Sequence, residues 1–144
     1  MTANKLAGIL QIIVLVALTL LLSAFHGFVG WHKAFSTHEE LVQHAAWTMH
    51  LPMWLGQSVG WTEMIVTAAL LAAMFRPQLA RIGFWACILF ILMELAATVT
   101  HYVTQDGGSL VQNAVSISLT ALLAGLYAAR SRGARGSDER APLA

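Results

Sequence analysis

The chain has 144 residues, of which 58% are hydrophobic and only 10% are charged, and its formal net charge is +1. A soluble domain is usually about 25% charged, so this composition indicates a membrane protein whose first partner is the lipid bilayer. No basic stripe interleaved with aromatic residues is present, which excludes a nucleic-acid partner. The single cysteine, Cys87, excludes an intramolecular disulfide and is predicted to be a small buried hydrophobe.

Four long apolar segments follow one another along the chain, at about residues 6–31, 53–75, 79–101 and 110–130. Each has the roughly 17–25 residues that a helix needs to cross a bilayer, whereas the alternating pattern of barrel strands is absent. The first segment follows Lys5, as in a signal peptide, but its apolar run is longer than the usual h-region of about 7–15 residues. We therefore predict that it is retained as the first membrane span.

Short connections join the last three segments. Arg76-Pro77-Gln78 links the second segment to the third, and residues 105–109 have a turn composition before the fourth. Helices joined by short loops run antiparallel. The predicted fold is therefore an all-α integral membrane four-helix bundle over residues 1–130. A tail rich in glycine, serine and charge, residues 131–144, is predicted to be disordered and cytoplasmic.

The basic residues are distributed unevenly about the four spans. Seven of them flank one side: Lys5, Arg76, Arg81, Arg130, Arg132, Arg135 and Arg140. Only Lys33 falls on the other side. Because lysine and arginine accumulate in cytoplasmic loops, both termini are predicted to be cytoplasmic, with the protein in the cytoplasmic (inner) membrane.

The first outer loop has helical features. Ser36 and Glu39 have the three-residue spacing of a capping box, and apolar residues recur after them at helical spacing. We predict a short amphipathic interfacial helix that ends at Pro52, next to an aromatic belt that includes Trp47. Histidines recur six residues apart, at His26, His32, His38, His44 and His50. Six residues turn a helix through about 600°, so these histidines do not share a face, and no metal site is predicted.

The few polar residues inside the spans lie at related depths. Glu63 stands about ten residues into the second span, near the bilayer midplane, where a lone helix pays roughly 2.5–3.5 kcal/mol for a charge. Glu94 is in the outer half of the third span, and His101 follows it on nearly the same helix face. Asn113 opens the fourth span. Such groups are expected to face the bundle interior and to satisfy one another.

These residues predict a polar cavity that opens to the outer face. Its expected lining is Lys33, Glu63, Glu94, His101 and Asn113, with Lys33 bending inward to pair with one of the two carboxylates. Glu63, Glu94 and His101 are the candidate catalytic groups. Lys33, Asn113, Trp61 and His26 are the candidate ligand contacts, although His26, alone on an apolar helix, better suits a structural role.

A structural explanation of the two carboxylates stands beside the functional one. Glu63 and Glu94 would then only hydrogen-bond between helices, but such bonds average about 0.6 kcal/mol in membranes, which is less than the carboxylates cost. This comparison favours a functional site. A second packing signal is Gly56-x-x-x-Gly60, which is suited to close helix contact either within one chain or between copies in a homo-oligomer.

The chain resembles the DoxX-like family of small bacterial four-helix membrane proteins from about residue 10 to residue 130. The matching motifs are Gly30-Trp31-His32-Lys33, Leu51-Pro52, Gly60-Trp61-Thr62-Glu63, Arg76-Pro77, Met93-Glu94-Leu95-Ala96-Ala97 with His101, and Asn113. Relatives named DoxD are linked to thiosulfate:quinone oxidoreduction, and others to oxidative-stress complexes that handle sulfur or thiols. The resemblance therefore implies redox partner proteins and a quinone as a candidate ligand.

Four functions remain open from the sequence. The first is a subunit that binds a lipophilic molecule or quinone, with Glu63 or His101 taking a proton from the quinol, and that serves redox or stress chemistry. No haem, flavin or iron–sulfur ligand pattern is present, so no intrinsic cofactor is expected. The second is a self-contained enzyme that uses Glu63 as base and Glu94 or His101 as acid. The third is a proton relay or transporter, which an apolar inner half disfavours. The fourth is a purely structural subunit.

Overall fold

The computed structural model describes residues 2–105 and 109–138, of which residues 134–138 are described in their backbone only. Its α-helices are α1 (Ala3–Phe35), α2 (His38–Gln43), α3 (Met53–Phe75), α4 (Ala80–Thr104) and α5 (Leu110–Asp138). Short 3-10 turns at Trp47–His50 and Pro77–Leu79 lead into α3 and α4. No strand occurs in these ranges. The predicted all-α fold is confirmed.

Four of these helices, α1, α3, α4 and α5, are long and apolar enough to cross a membrane. The second span has the predicted bounds, and α1 extends to Phe35 where the prediction ended near residue 31. The fourth membrane-spanning helix, α5, continues to Asp138, so residues 131–138 of the predicted tail are helical. No proline interrupts residues 131–138, so the helix can continue through them, although Gly133 and Gly136 lower the helix propensity. The remaining tail, residues 139–144, lies outside the described residues.

The four long helices form an antiparallel ring. α1 packs mainly on α3, and α4 packs mainly on α5, while contacts of α3 with α4 and of α1 with α5 close the bundle. Two contacts show that α1 and α3 run antiparallel. Gly27 of α1 lies against Thr67 of α3, whereas Ala34, further along α1, lies against Gly60, which comes earlier in α3. The predicted four-helix arrangement is therefore present.

Two glycines allow α1 and α3 to cross with their backbones in contact. A Cβ atom placed on Gly60 would lie 2.5 Å from the Ala34 nitrogen and 2.5 Å from the Gly30 oxygen. One placed on Gly30 would lie 2.8 Å from the Glu63 Cβ. Gly56, the other half of the predicted glycine pair, faces Thr48 within the same chain. Both glycines of that pair thus serve packing inside one molecule.

The half of the bundle remote from α2 is less apolar than predicted. Tyr127 is fully buried there, its hydroxyl lies 3.1 Å from the Thr19 hydroxyl, and it donates to the Leu70 carbonyl at 3.3 Å. Thr67 and Thr120 are also buried in the helix interfaces. Tyr127 is therefore an exception to the apolar inner half that the sequence predicts, and a neighbouring hydroxyl and a helix carbonyl give its own hydroxyl partners without water. The Thr67 and Thr120 hydroxyls have no hydrogen-bond partner among the described residues.

Arg130 caps the C-terminal end of α3, in the same half of the bundle as Tyr127. Its guanidinium donates to the carbonyl oxygens of Met74 at 3.0 Å and Ala73 at 3.4 Å, both in the last turn of the helix. Carbonyls in the last turn of a helix have no partner within the helix, so a cation is favourable there. Arg76 and Arg81 lie at this end too, which we refer to as the basic end.

The opposite end carries α2, whose capping box lies one residue later than predicted. The Thr37 hydroxyl accepts from the Glu40 amide, and the Glu40 carboxylate accepts from the Thr37 amide at 2.8 Å. The predicted pair was Ser36 and Glu39. The helix also ends early, because Ala45 has φ 47°, a left-handed conformation that interrupts a helix. The single helix predicted to run to Pro52 is therefore two short pieces.

The capping box makes α2 sensitive to acid. The hydrogen bond from the Thr37 amide lowers the pKa of Glu40 below its ordinary value of 4.5. A lowered pKa means that this contribution to stability is present above pH 4.5 and is lost as the pH falls through the lowered pKa. We expect the Thr37 amide to lose hydrogen-exchange protection on acidification below that range, measured by NMR. Glu40→Gln should abolish this pH dependence and the matched Glu39→Gln should preserve it; the reverse pattern would contradict the assignment.

Candidate functional site

A cavity of about 370 Å³ lies at the α2 end of the bundle. All five residues predicted to line a polar cavity do line this one: Lys33, Glu63, Glu94, His101 and Asn113. They come from α1, α3, α4 and α5, so the four membrane-spanning helices each contribute. Phe25, Phe28 and Met93 supply apolar walls. The predicted convergence of polar residues therefore exists as geometry, while their chemical roles stay predictions.

The deepest feature of the cavity is an ion pair between α1 and α3. The Lys33 ammonium donates to Glu63 Oε1 at 2.6 Å, and the two residues are 5% and 2% exposed. The backbone crossing determines this pair, because Lys33 follows Gly30 by three residues and Glu63 follows Gly60 by three. Each charged residue therefore shares a helix face with the glycine at the crossing. Of the two predicted carboxylate partners, Lys33 pairs with Glu63.

Trp47 covers the same lysine from the loop. The Lys33 ammonium lies 5.5 Å from the centre of the Trp47 ring, within the range of a cation–π interaction. Trp47 also lines the cavity together with Ala45 and Ala46. It was predicted as a member of an interfacial aromatic belt. The segment after α2 instead turns back over the cavity and forms part of its wall.

Glu94 lies next to the buried side chain of His26. The His26 Nδ1 lies 3.8 Å from Glu94 Oε1, and its ring stacks on Phe90 with the ring centres 3.9 Å apart. His26 is 1% exposed and is not part of the cavity lining. Of its two predicted roles, the geometry favours the structural one. The imidazole is fixed by stacking beside the carboxyl group that does line the cavity, and their 3.8 Å separation is longer than a hydrogen bond.

Three buried polar atoms of the cavity-lining residues have no hydrogen-bond partner within the described part of the chain: His32 Nε2 and two atoms of the predicted site residues. The latter two carry the argument. They are Glu63 Oε2, an acceptor, and Asn113 Nδ2, a donor, and both are buried. A buried polar atom without a partner costs about 1–3 kcal/mol, so such atoms need an explanation. An acceptor and a donor in one cavity suit a ligand whose polar head can both donate and accept.

Two histidines at the cavity were not predicted as site residues. His32 and His44 both line it, with ring centres 4.9 Å apart, and the His32 Nδ1 lies 2.8 Å from the Ser36 hydroxyl. They meet because the chain reverses between α1 and α2, so their six-residue spacing is not the cause. No cluster of three or more histidine, cysteine, aspartate or glutamate residues suited to a metal occurs in residues 2–105 and 109–133.

Trp61 is a predicted ligand contact that the structure places elsewhere. Its side chain is 47% exposed and packs on Phe35, with the ring centres 5.2 Å apart. Trp61 precedes Glu63 by two residues, which is a rotation of about 200° around a helix. It therefore faces the opposite side of α3, toward the surroundings of the bundle, and it does not line the cavity.

The sequence profile of the DoxX-like family matches residues 17–125. This range holds the whole cavity, the α1–α3 crossing and the ion pair. No curated protein and no solved structure matches the chain significantly. The match covers well over half of the chain and includes residues from all four membrane-spanning helices. The protein belongs to the DoxX-like family.

Proposed function

We propose that this DoxX-like membrane protein binds a small lipophilic molecule with a polar head in the cavity at the α2 end. The observation that carries the proposal is that the cavity holds a buried acceptor and a buried donor without partners, Glu63 Oε2 and Asn113 Nδ2. A volume of about 370 Å³ is within the usual range of about 300–1,000 Å³ for small-molecule sites. The apolar wall of Phe25, Phe28 and Met93 suits a lipophilic body.

A quinone and its quinol meet these requirements. In the quinol, one hydroxyl would donate to Glu63 Oε2 and the oxygen of the other would accept from Asn113 Nδ2, so both atoms would gain a partner. The quinone carbonyl would accept from Asn113 alone. Glu63 or His101 would take the quinol proton, and the presence of both in the cavity lining supports this proposal. This quinone would be a bound ligand and not an intrinsic cofactor. Electrons would pass to redox partner proteins, which places the protein in redox or stress-related chemistry.

The proposed orientation puts the cavity on the outer side of the cytoplasmic membrane. Arg76, Arg81 and Arg130 lie at the basic end, and the cavity lies at the other end of the same helices. By the positive-inside rule the basic end faces the cytoplasm, together with both termini. A ligand would then enter from the outer leaflet or the outer aqueous phase.

A second candidate function is a self-contained enzyme that performs acid–base chemistry on a lipophilic substrate. It is favoured by one observation: the two carboxyl groups of the cavity have different partners. Glu63 faces the Lys33 ammonium, whereas Glu94 faces the His26 ring. Different surroundings are how a protein assigns separate acid and base roles to two similar groups.

Binding of decylubiquinol, kept reduced, by the purified, detergent-solubilised protein tests the proposal. We expect Glu63→Gln and Asn113→Leu each to weaken binding by roughly 10-fold or more, since each removes one of the hydrogen bonds to the head group. The matched control is Thr62→Val, whose hydroxyl bonds the Ser58 carbonyl of its own helix. Wild-type affinity in both cavity variants would contradict the proposal.

Mass spectrometry of molecules that co-purify separates the two candidate functions. A quinone recovered unchanged supports the binding subunit. A lipophilic metabolite that the protein alone converts to a product, with loss of turnover in Glu63→Gln, supports the enzyme.

A further inference from the structure

A second cavity lies at the basic end of the bundle, far from the site described above. It has a volume of about 240 Å³ and is lined by Arg81, Phe84, Trp85, Ala128, Ser131 and Arg132. The arginines come from different helices, Arg81 from the first turn of α4 and Arg132 from the last part of α5. No acidic side chain of residues 2–105 and 109–133 is part of this lining. The cavity therefore presents two positive charges from two sides.

The two arginines differ from their neighbour Arg130 in what they contact. Arg130 uses its guanidinium on the last carbonyls of α3. Arg81 and Arg132 are exposed, and neither side chain has a hydrogen bond or ion pair to a side chain of residues 2–105 and 109–133. Their donors are thus available to a ligand. A guanidinium presents a planar set of donors that matches the oxygen atoms of a phosphate.

Aromatic side chains place this cavity at the edge of the membrane. Trp85 is 58% exposed on the outer surface of α4, and Phe84 packs against it with the ring centres 5.3 Å apart. Tryptophan on the surface of a membrane helix is typical of the headgroup level, and Arg81 lies one helical turn nearer to the end of the span. Lipid phosphates occupy this level on the same side of the bilayer.

We infer that Arg81 and Arg132 bind the phosphate group of an anionic phospholipid, with Trp85 in contact with the lipid chain next to it. Basic pockets between membrane helices are suited to such head groups because attraction to the charge adds to apolar contact. In residues 2–105 and 109–133, whose side chains the structure describes, the acidic side chains are Glu39, Glu40, Glu63 and Glu94, and all four belong to the other half of the bundle. The inference is independent of the ligand proposed for the first cavity.

Native mass spectrometry of the full chain in detergent tests this inference with phosphatidylglycerol as the probe. We expect the double variant Arg81→Gln/Arg132→Gln to bind phosphatidylglycerol at least 10-fold more weakly than the wild type. The matched control, Lys5→Gln/Arg76→Gln, loses the same charge from the same end and should change binding less than twofold. Equal losses in the two double variants would overturn the inference, because the effect would then be one of general surface charge.

Two further probes identify the source of the phosphate. Diacylglycerol, which has the same chains and no phosphate, should not distinguish the wild type from Arg81→Gln/Arg132→Gln. Inorganic phosphate at millimolar concentration should leave bound phosphatidylglycerol in place. Displacement by inorganic phosphate alone would overturn the assignment to a lipid, and a variant effect of the same size on diacylglycerol would overturn the role of the phosphate. Circular dichroism of each variant confirms that the helices are retained.

Discussion

Lys33→Met is expected to lower the free energy of unfolding by about 3–5 kcal/mol, because it leaves the buried Glu63 carboxylate without its cation. The ammonium lies 2.6 Å from Glu63 Oε1, and both residues are almost entirely buried. A membrane interior offers little water to replace the lost partner. Unfolding by sodium dodecyl sulfate, followed by circular dichroism, measures the difference.

The double variant Lys33→Met/Glu63→Gln is the decisive control. It removes both charges, so no uncompensated carboxylate remains, and most of the lost stability should return. Recovery would show that the penalty of Lys33→Met comes from the stranded charge. If Lys33→Met is as stable as the wild type, the cavity solvates Glu63 well enough by itself, and the ion pair has no structural role.

Gly60→Ala is expected to cost about 1–3 kcal/mol, and Gly60→Leu is expected to prevent assembly of the bundle. The added Cβ would lie 2.5 Å from backbone atoms of Ala34 and Gly30, so the contact cannot be relieved by a side-chain rotation. α1 and α3 would have to separate, and Lys33 would be drawn away from Glu63. The same detergent titration measures the stability.

Gly125→Ala provides the matched control for this substitution. A Cβ on Gly125 meets nothing within 4 Å, so the variant should be neutral or more stable by up to about 1 kcal/mol. A comparable loss in the two variants would show that glycine itself, and not the helix crossing, determines the stability. Combining Gly60→Ala with Lys33→Met should give less than the sum of the single effects, because the first change already weakens the ion pair.

The spans and the polar cavity were predictable from the sequence because both depend on position along a helix. Apolar run length gave the second span with its observed bounds. The depths of Glu63, Glu94 and His101, together with antiparallel neighbours, were enough to bring them to one end. The inward bend of Lys33 also followed, since no other lysine or arginine lies on that side of the spans.

The loop contribution to the site could not be predicted in the same way. His44 and Trp47 reach the cavity because the chain turns at Ala45, and its left-handed conformation leaves no clear signal in an alanine. The capping box was displaced by one residue because Ser36 and Thr37 are both followed by a glutamate at the required spacing. Tertiary contacts, not local sequence, select between these two possible capping boxes.

The outward direction of Trp61 can be derived from the sequence alone. A residue two positions from Glu63 points to the other side of the helix, so both cannot face one cavity. The hydroxyl of Tyr127 is a different case. Its contact with Thr19 joins residues 108 positions apart and depends on how α1 and α5 pack. Helical angle alone does not supply that information.

The pairing of the helices divides the cavity into two halves that respond differently to a bound molecule. Lys33 and Glu63 both belong to the α1–α3 hairpin, whose backbones are locked together at the glycine crossing. His26 and Glu94 belong to different hairpins, α1–α3 and α4–α5, and their contact spans the seam between them. A bound molecule that pushes the two hairpins apart would therefore lengthen the His26–Glu94 contact and leave the Lys33–Glu63 ion pair intact. The ion pair therefore keeps its geometry when the cavity widens, whereas Glu94 moves with the α4–α5 hairpin.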